Sequence, residues 1–193
     1  MIEHKRAEQI FKESGALLNG HFLLTSGRHS DRYMQCAQIL KYPKFSEELA
    51  KGLADEFRDA KADLVIGPAM GGIIVAYELA RALGTVNIFA ERENGKMTIR
   101  RGFEVPAGAR VIVAEDVITT GGSVREVMEL VKAAGAEVVG VAVLADRSNG
   151  EIDFGCKLAA AYTSEVVSWE AAECPLCKAG AEAPYKPGSR STI

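Results

Sequence analysis

Residues 111–123 read Val-Ile-Val-Ala-Glu-Asp-Val-Ile-Thr-Thr-Gly-Gly-Ser, and no other stretch restricts the possible folds as strongly. Val111 to Ala114 are apolar without polar alternation, as in a strand covered on both faces. One loop later, a helical pattern runs from Ser123 to Ala134. A strand, loop and helix in that order place the loop at the carboxyl end of the strand, where free backbone N–H groups and the helix dipole attract an anion. Gly121 and Gly122 let the backbone approach a phosphate, and Thr119, Thr120 and Ser123 offer hydroxyl donors. Glu115 and Asp116 would repel that phosphate, but carboxylates accept well from sugar hydroxyls. A sugar phosphate is the implied ligand. The same residues could simply end a strand and make a turn, but acids, hydroxyls and glycines converging on one strand end favour a binding site. A Walker loop would need Gly-Lys-Ser/Thr where this chain has Gly-Gly-Ser, and no Gly-x-Gly-x-x-Gly precedes the helix.

Two acids after a hydrophobic strand, followed by Thr-Thr-Gly-Gly-Ser, resemble the phosphoribosyl-pyrophosphate motif of type I phosphoribosyltransferases. The resemblance implies an α/β fold, with a mainly parallel twisted sheet flanked by helices and a small N-terminal hood over the ligand. A second loop, Gly67-Pro-Ala-Met-Gly-Gly72, follows the apolar strand Leu64 to Gly67 and leads into an apolar helix through Ala82. In the resembled family this loop binds pyrophosphate, often with an aromatic-Lys pair where this chain has Met70-Gly71. Close packing alone would also explain its glycines.

Composition then bounds the rest. With 193 residues, 48% of them hydrophobic and 25% charged, the chain suits one compact domain, expected to span 1–193 with a hood segment at 1–42 and a loop-like tail at 170–193. A net charge of −3 argues against a general nucleic-acid or membrane-surface binder, so no nucleic-acid or membrane partner is expected. No apolar run reaches the roughly 20 residues of a membrane span, the first residues lack the apolar region of a secretory signal, and a cytoplasmic protein is expected. Four cysteines make no disulfide framework. Cys174-Pro-Leu-Cys177 could be half a zinc site, needing Cys36, Cys156 or a distant His to complete it; no protein-held metal is expected.

Along the chain, a helix is predicted from His4 to Leu18, broken at Ser14-Gly15, and short strands at His21 to Thr25 and Arg32 to Cys36. Ser26-Gly27-Arg28-His29-Ser30 with Tyr33 resembles the segment with which the orotate-using branch of the family covers its pyrimidine. Many members carry a Lys where this chain has Thr25, so that the cationic contact is either missing or comes from Arg28. Tyr33 and His29 read equally well as a core aromatic and a surface residue. Phe45, Leu49, Leu53 and Phe57, after Pro43, predict an amphipathic helix over 44–58. Val86 to Ala90 predicts a strand, and Asn94-Gly95 a hairpin carrying Arg92, Lys96, Arg100 and Arg101, a basic cluster suited to a polyanion. Val138 to Leu144 predicts a buried strand with Asp146-Arg147 at its end, where an Arg can grip a carboxylate in two-pronged fashion. Further strands are expected at Leu158 to Tyr162 and Glu165 to Trp169.

The resemblance thus implies Lys96, Arg92 and Asp116 as catalytic residues. It implies a phosphoribosyl-pyrophosphate site of Glu115, Asp116, Val117, Ile118, Thr119, Thr120, Gly121, Gly122 and Ser123, joined by Arg92 and Lys96, and an orotate site of Thr119 and Arg147. Mg²⁺ would come bound mainly through the substrate diphosphate, and a homodimer with shared sites is implied. A purine or uracil base in place of orotate, or a regulator that binds the sugar phosphate without reacting it, are the alternatives.

Overall fold

The computed structural model of the protein describes residues 2–24, 26–163 and 167–186. Thr25, the first part of the expected strand from Glu165, and the end of the tail lie outside the described residues. In chain order the elements are helix α1 (His4–Glu13), strands β1 (Leu17–Leu23) and β2 (His29–Met34), helices α2 (Ala37–Leu40) and α3 (Pro43–Glu56), strand β3 (Leu64–Pro68) and helix α4 (Gly71–Leu83). Then come strands β4 (Val86–Glu93), β5 (Lys96–Ile99) and β6 (Arg110–Ile118), helix α5 (Gly122–Ala133), strands β7 (Glu137–Asp146), β8 (Leu158–Thr163) and β9 (Ser168–Trp169), and helix α6 (Pro175–Lys178).

Six strands form one sheet in the order β5-β4-β3-β6-β7-β8, all parallel except the edge strand β5. The two-residue period of each strand divides its side chains between two cores. Val65, Ile112, Ala114, Ala142 and Leu144 face a layer containing Phe11, Leu49, Leu53 and Leu79 from α1, α3 and α4. Leu64, Ile66, Val111, Val113, Val141 and Val143 face Val124, Val127, Met128 and Val131 of α5. These four α5 positions recur at i, i+3, i+4 and i+7, one apolar stripe, and each buried side chain contributes on the order of 1.5–3 kcal/mol.

Three expectations change. The first helix stops at Glu13: Gly15 adopts φ +74°, and the Ala16 and Gly15 N–H groups donate to the Phe11 and Lys12 carbonyls, closing a left-handed cap. Leu17 and Leu18 therefore begin β1, which pairs antiparallel with β2, and β2 in turn with β9, as a separate three-stranded hood. Strand β6 runs four residues beyond Ala114, because Glu115, Val117 and Ile118 keep their register with Val143, Ala145 and Asp146 of β7. The acid pair thus belongs to the strand end instead of the loop. The tail also contains a short turn of 3₁₀ helix at Ala171–Glu173 and α6, so it is not loop throughout.

Candidate active site

The carboxyl ends of β4 and β6 and the start of α5 enclose a cleft of about 320 Å³, lined by Arg92, Glu115, the 117–123 run, Val124 and Glu126. The phosphate-loop residues anticipated from sequence are therefore brought together. No side chain caps α5, so its first-turn N–H groups are left to face a ligand. Gly121 has φ +73°, and a Cβ there would stand 2.8 Å from Phe154 Cζ, so both backbone and space demand glycine.

Glu115 is 9% exposed. Burial pushes its carboxyl up to about 9, the adjacent Asp116 charge adds to the shift, and N–H groups of Asp116 and Gly72 oppose it. Burial raises Asp116 as well, held back by its hydrogen bond with Glu115. Burial and mutual repulsion therefore disfavour two full charges on this pair. Glu115 Oε1 accepts from the Asp116 N–H at 3.0 Å, and Asp116 Oδ1 from the Val117 N–H at 2.8 Å.

The second glycine loop touches this pair from below. A Cβ on Gly72 would lie 3.0 Å from Glu115 Oε1, and one on Gly67 would lie 2.1 Å from the Gly72 carbonyl oxygen. Close packing therefore explains Gly67 and Gly72. Met70 is 82% exposed at the tip of the loop, so no cation or aromatic occupies the place where relatives of the motif have one. These contacts were not legible in the sequence, where the two glycine loops are more than forty residues apart.

The hairpin forms at Asn94-Gly95, both at positive φ. Its basic cluster is largely neutralised: Arg92 pairs with Glu126 at 2.8 Å, Arg100 with Glu93 at 3.2 Å and Arg101 with Glu91 at 3.0 Å. Among the described residues, Lys96 alone of the four has no carboxylate partner, and it is exposed. Among the described residues, the expectation of a dense positive patch is corrected to one free cation, because Glu91 and Glu93 of β4 and Glu126 of α5 stand beside the hairpin arginines.

Arg147 follows β7 directly, and its N–H donates to the Ile118 carbonyl at 3.0 Å, which locks it beside the phosphate loop. Its Nε is buried without a hydrogen-bond partner among the described residues. Burial lowers the guanidinium from its ordinary value, and the titratable groups that oppose this are the Cys36 thiol and the Tyr33 phenol, with no carboxylate among them. A half-buried cation with one buried N–H left short of a partner is a position suited to an anion.

In the hood, Tyr33 is half-buried with its ring 5.7 Å from that of Phe22. Arg28 is not free to replace a missing Lys: Nε donates to Ser168 Oγ at 2.9 Å, Nη2 donates to the Ser168 carbonyl at 2.6 Å, and Nη1 pairs with Glu170. His29 is 7% exposed, and its ring packs against His21 and Cys177, away from solvent.

A protein-family model described as the phosphoribosyl transferase domain matches residues 35–154, more than half of the chain. The chain belongs to the phosphoribosyltransferase family. Within that family it groups with the orotate phosphoribosyltransferases: it is 60% identical to the one from Pelotomaculum thermopropionicum over 94% of this chain and 95% of that protein. Among solved structures it is similar to orotate phosphoribosyltransferase from Aeropyrum pernix, with TM-score 0.68, 29% identity, and coverage of 80% of this chain and 92% of that one. An adenine phosphoribosyltransferase from Thermoanaerobacter pseudethanolicus shares the fold at TM-score 0.61 and 19% identity, over 69% of this chain and 88% of that one. The fold alone therefore does not choose the base.

Proposed function

We propose that the protein joins orotate to phosphoribosyl pyrophosphate, releasing diphosphate and forming orotidine 5′-phosphate for pyrimidine nucleotide synthesis. The observation that carries this reading is Arg147, a half-buried side chain whose Nε is buried and unpartnered among the described residues, held at the β7 end beside the phosphate loop. Adenine has no anionic group to meet it, whereas the orotate carboxylate does. Thr119, exposed in the same loop, supplies a hydroxyl to the base.

In this reading the backbone of Thr119 to Ser123, with its hydroxyls, anchors the 5′-phosphate, and Val117 and Ile118 line the sugar. Glu115 and Asp116 accept from the ribose hydroxyls and hold the ring while the bond from its anomeric carbon to diphosphate breaks and the bond to the orotate nitrogen forms. Positive charge develops on the sugar as diphosphate departs, so catalysis consists of holding the sugar in place and stabilising the leaving group. Lys96 and Arg92 face that leaving group, with Arg92 exchanging its Glu126 partner for a phosphate oxygen.

Glu115 and Asp116 are already engaged with backbone N–H groups and Glu126 with Arg92, which fits a hard cation carried in by the diphosphate and its waters rather than by a protein cage. When bound, Mg²⁺ neutralises charge building on the leaving diphosphate. A homodimer is part of the reading, supported by Ile74 and Tyr77, exposed on α4, and by Met70, exposed just before it. None of the described helices is long and apolar enough to cross a membrane, and four cysteines with no disulfide among them suit a reducing cytoplasm.

The test is loss of orotate absorbance with phosphoribosyl pyrophosphate and Mg²⁺, beside adenine, hypoxanthine and uracil. Turnover of orotate alone is expected; preference for another base would overturn the reading.

A further inference from the structure

In the hood, outside the residues that line the cleft, four side chains from opposite ends of the chain converge. His21 of β1, His29 of β2, and Cys174 and Cys177 flanking and opening α6 bring one ligand atom each to within 4.8 Å of all the others. His21 Nε2 lies 3.0 Å from His29 Nδ1, 3.5 Å from Cys174 Sγ and 3.6 Å from Cys177 Sγ, and Cys177 Sγ lies 3.3 Å from His29 Nδ1. A tetrahedral Zn²⁺ with ordinary bond lengths separates two nitrogens by roughly 3.3 Å, and nitrogen from sulfur by roughly 3.6 Å. Four of the six separations come within about 0.3 Å of that tetrahedron's edges, and the other two are no longer than 4.8 Å.

Hydrogen bonding alone does not account for the arrangement. His21 Nδ1 stands 2.8 Å from the Glu182 carbonyl, which only accepts, so Nδ1 carries the ring proton and Nε2 of the neutral imidazole presents its lone pair. That lone pair faces three polar atoms at once, and it can accept from only one of them well. A cation at the centre uses the lone pairs of both nitrogens and both sulfurs, and the Glu182 carbonyl becomes the outer partner that orients the ligating ring.

The surrounding segment points the same way. Neither the 3₁₀ turn at Ala171–Glu173 nor α6 buries a side chain of its own, whereas Cys174 is fully buried. Backbone bonds attach the following residues to the hood at the same point, from the Tyr185 N–H to the His21 carbonyl and from the Leu23 N–H to the Tyr185 carbonyl, both at 2.8 Å. A segment without a core needs another cross-link, and metal ligation supplies folding free energy directly.

We propose that His21, His29, Cys174 and Cys177 form a closed Cys₂His₂ site for a structural Zn²⁺ that clamps the C-terminal segment to the hood. All four positions are taken by protein, so the site has no open coordination position and no catalytic role. Two thiols and two imidazoles select zinc over Mg²⁺, which takes oxygen ligands. The clamp holds His29 in place next to Ser30, three positions before Tyr33, and so fixes the hood strand on the base side of the cleft.

The test uses the full chain without an added histidine tag, purified under reducing conditions from zinc-supplemented cells. Elemental analysis is expected to find about one Zn²⁺ per chain. The protein reconstituted with Co²⁺ should show the visible bands of a tetrahedral thiolate and imidazole complex. Cys156→Ser should keep both signals, and Cys177→Ser, at an exposed position, should lose them. If Cys177→Ser does not fold, the Co²⁺ spectrum of the unaltered chain still decides. Zinc-free protein that gives no tetrahedral Co²⁺ spectrum, or a Cys174 to Cys177 disulfide by intact mass in the reduced preparation, would overturn the proposal.

Discussion

A Cβ placed on Gly71 would come within 2.3 Å of Asp116 Oδ2, so the second glycine loop holds the acid pair of the first in place. The obstructed atom is the tip of a side chain, which can move where a backbone could not. Gly71→Ala is therefore expected to leave the fold intact and turn Asp116 away from the sugar. The KM for phosphoribosyl pyrophosphate should rise about 10-fold or more, as for a lost charge-assisted hydrogen bond. An unchanged KM with a circular dichroism spectrum like the wild type would show that Asp116 does not contact the substrate.

Arg147→Ala should raise the orotate KM roughly 10- to 100-fold, the equivalent of about 1.5–3 kcal/mol, and leave that for phosphoribosyl pyrophosphate nearly unchanged. Because Arg147 Nε is buried without a partner, removing the side chain should not lower Tm appreciably. Parallel loss of both substrates' affinity, or a large drop in Tm, would assign the residue to structure.

The Glu115 carboxyl, raised from an ordinary 4.5 to about 9, makes stability depend on pH. The folded state binds this proton more tightly than the unfolded chain, so the stabilisation is complete below about 4.5 and is lost as pH climbs toward about 9. Glu115→Gln keeps the neutral shape and escapes that loss. Relative to wild type it should gain on going from about pH 5 to about pH 8, by roughly 1 kcal/mol or more and 2–4 °C in Tm. Thermal melts at the two pH values check this, and a constant difference would mean that Glu115 is ionised in the folded protein. Sugar-phosphate binding should weaken in the same variant.

Lys96 is the hairpin cation without a carboxylate partner among the described residues, and it is exposed on a short edge strand. If it reaches the diphosphate only as the hairpin closes, Lys96→Ala should lower kcat on the order of 100-fold and change KM little. If the hairpin serves the other subunit of a dimer, refolding Lys96→Ala together with Asp116→Asn should restore about a quarter of wild-type activity, since half the dimers are mixed and each holds one intact site. Failure to recover activity in verified mixed dimers would confine the hairpin to its own chain.

What the sequence determined by itself was everything carried by neighbouring residues. Val111 to Ala114 had to be a strand covered on both faces, Thr119 to Ser123 an anion loop, and Asn94-Gly95 a hairpin, because periodicity, hydroxyl placement and positive φ are local properties of a few consecutive residues. Even the identity of Arg147 as a strand-end cation was legible from its place after Asp146. Tertiary structure decided what depends on which side chains meet. It paired three hairpin arginines with Glu91, Glu93 and Glu126, left Lys96 without a carboxylate among the described residues, and tied Arg28 to Ser168. It laid Gly71 against Asp116, left Arg147 Nε buried and unpartnered, and carried His21 and His29 to Cys174 and Cys177 across some 150 residues of chain. Burial and charge pairing are sums over neighbours in space, and they exist only once strand order and register have set who those neighbours are.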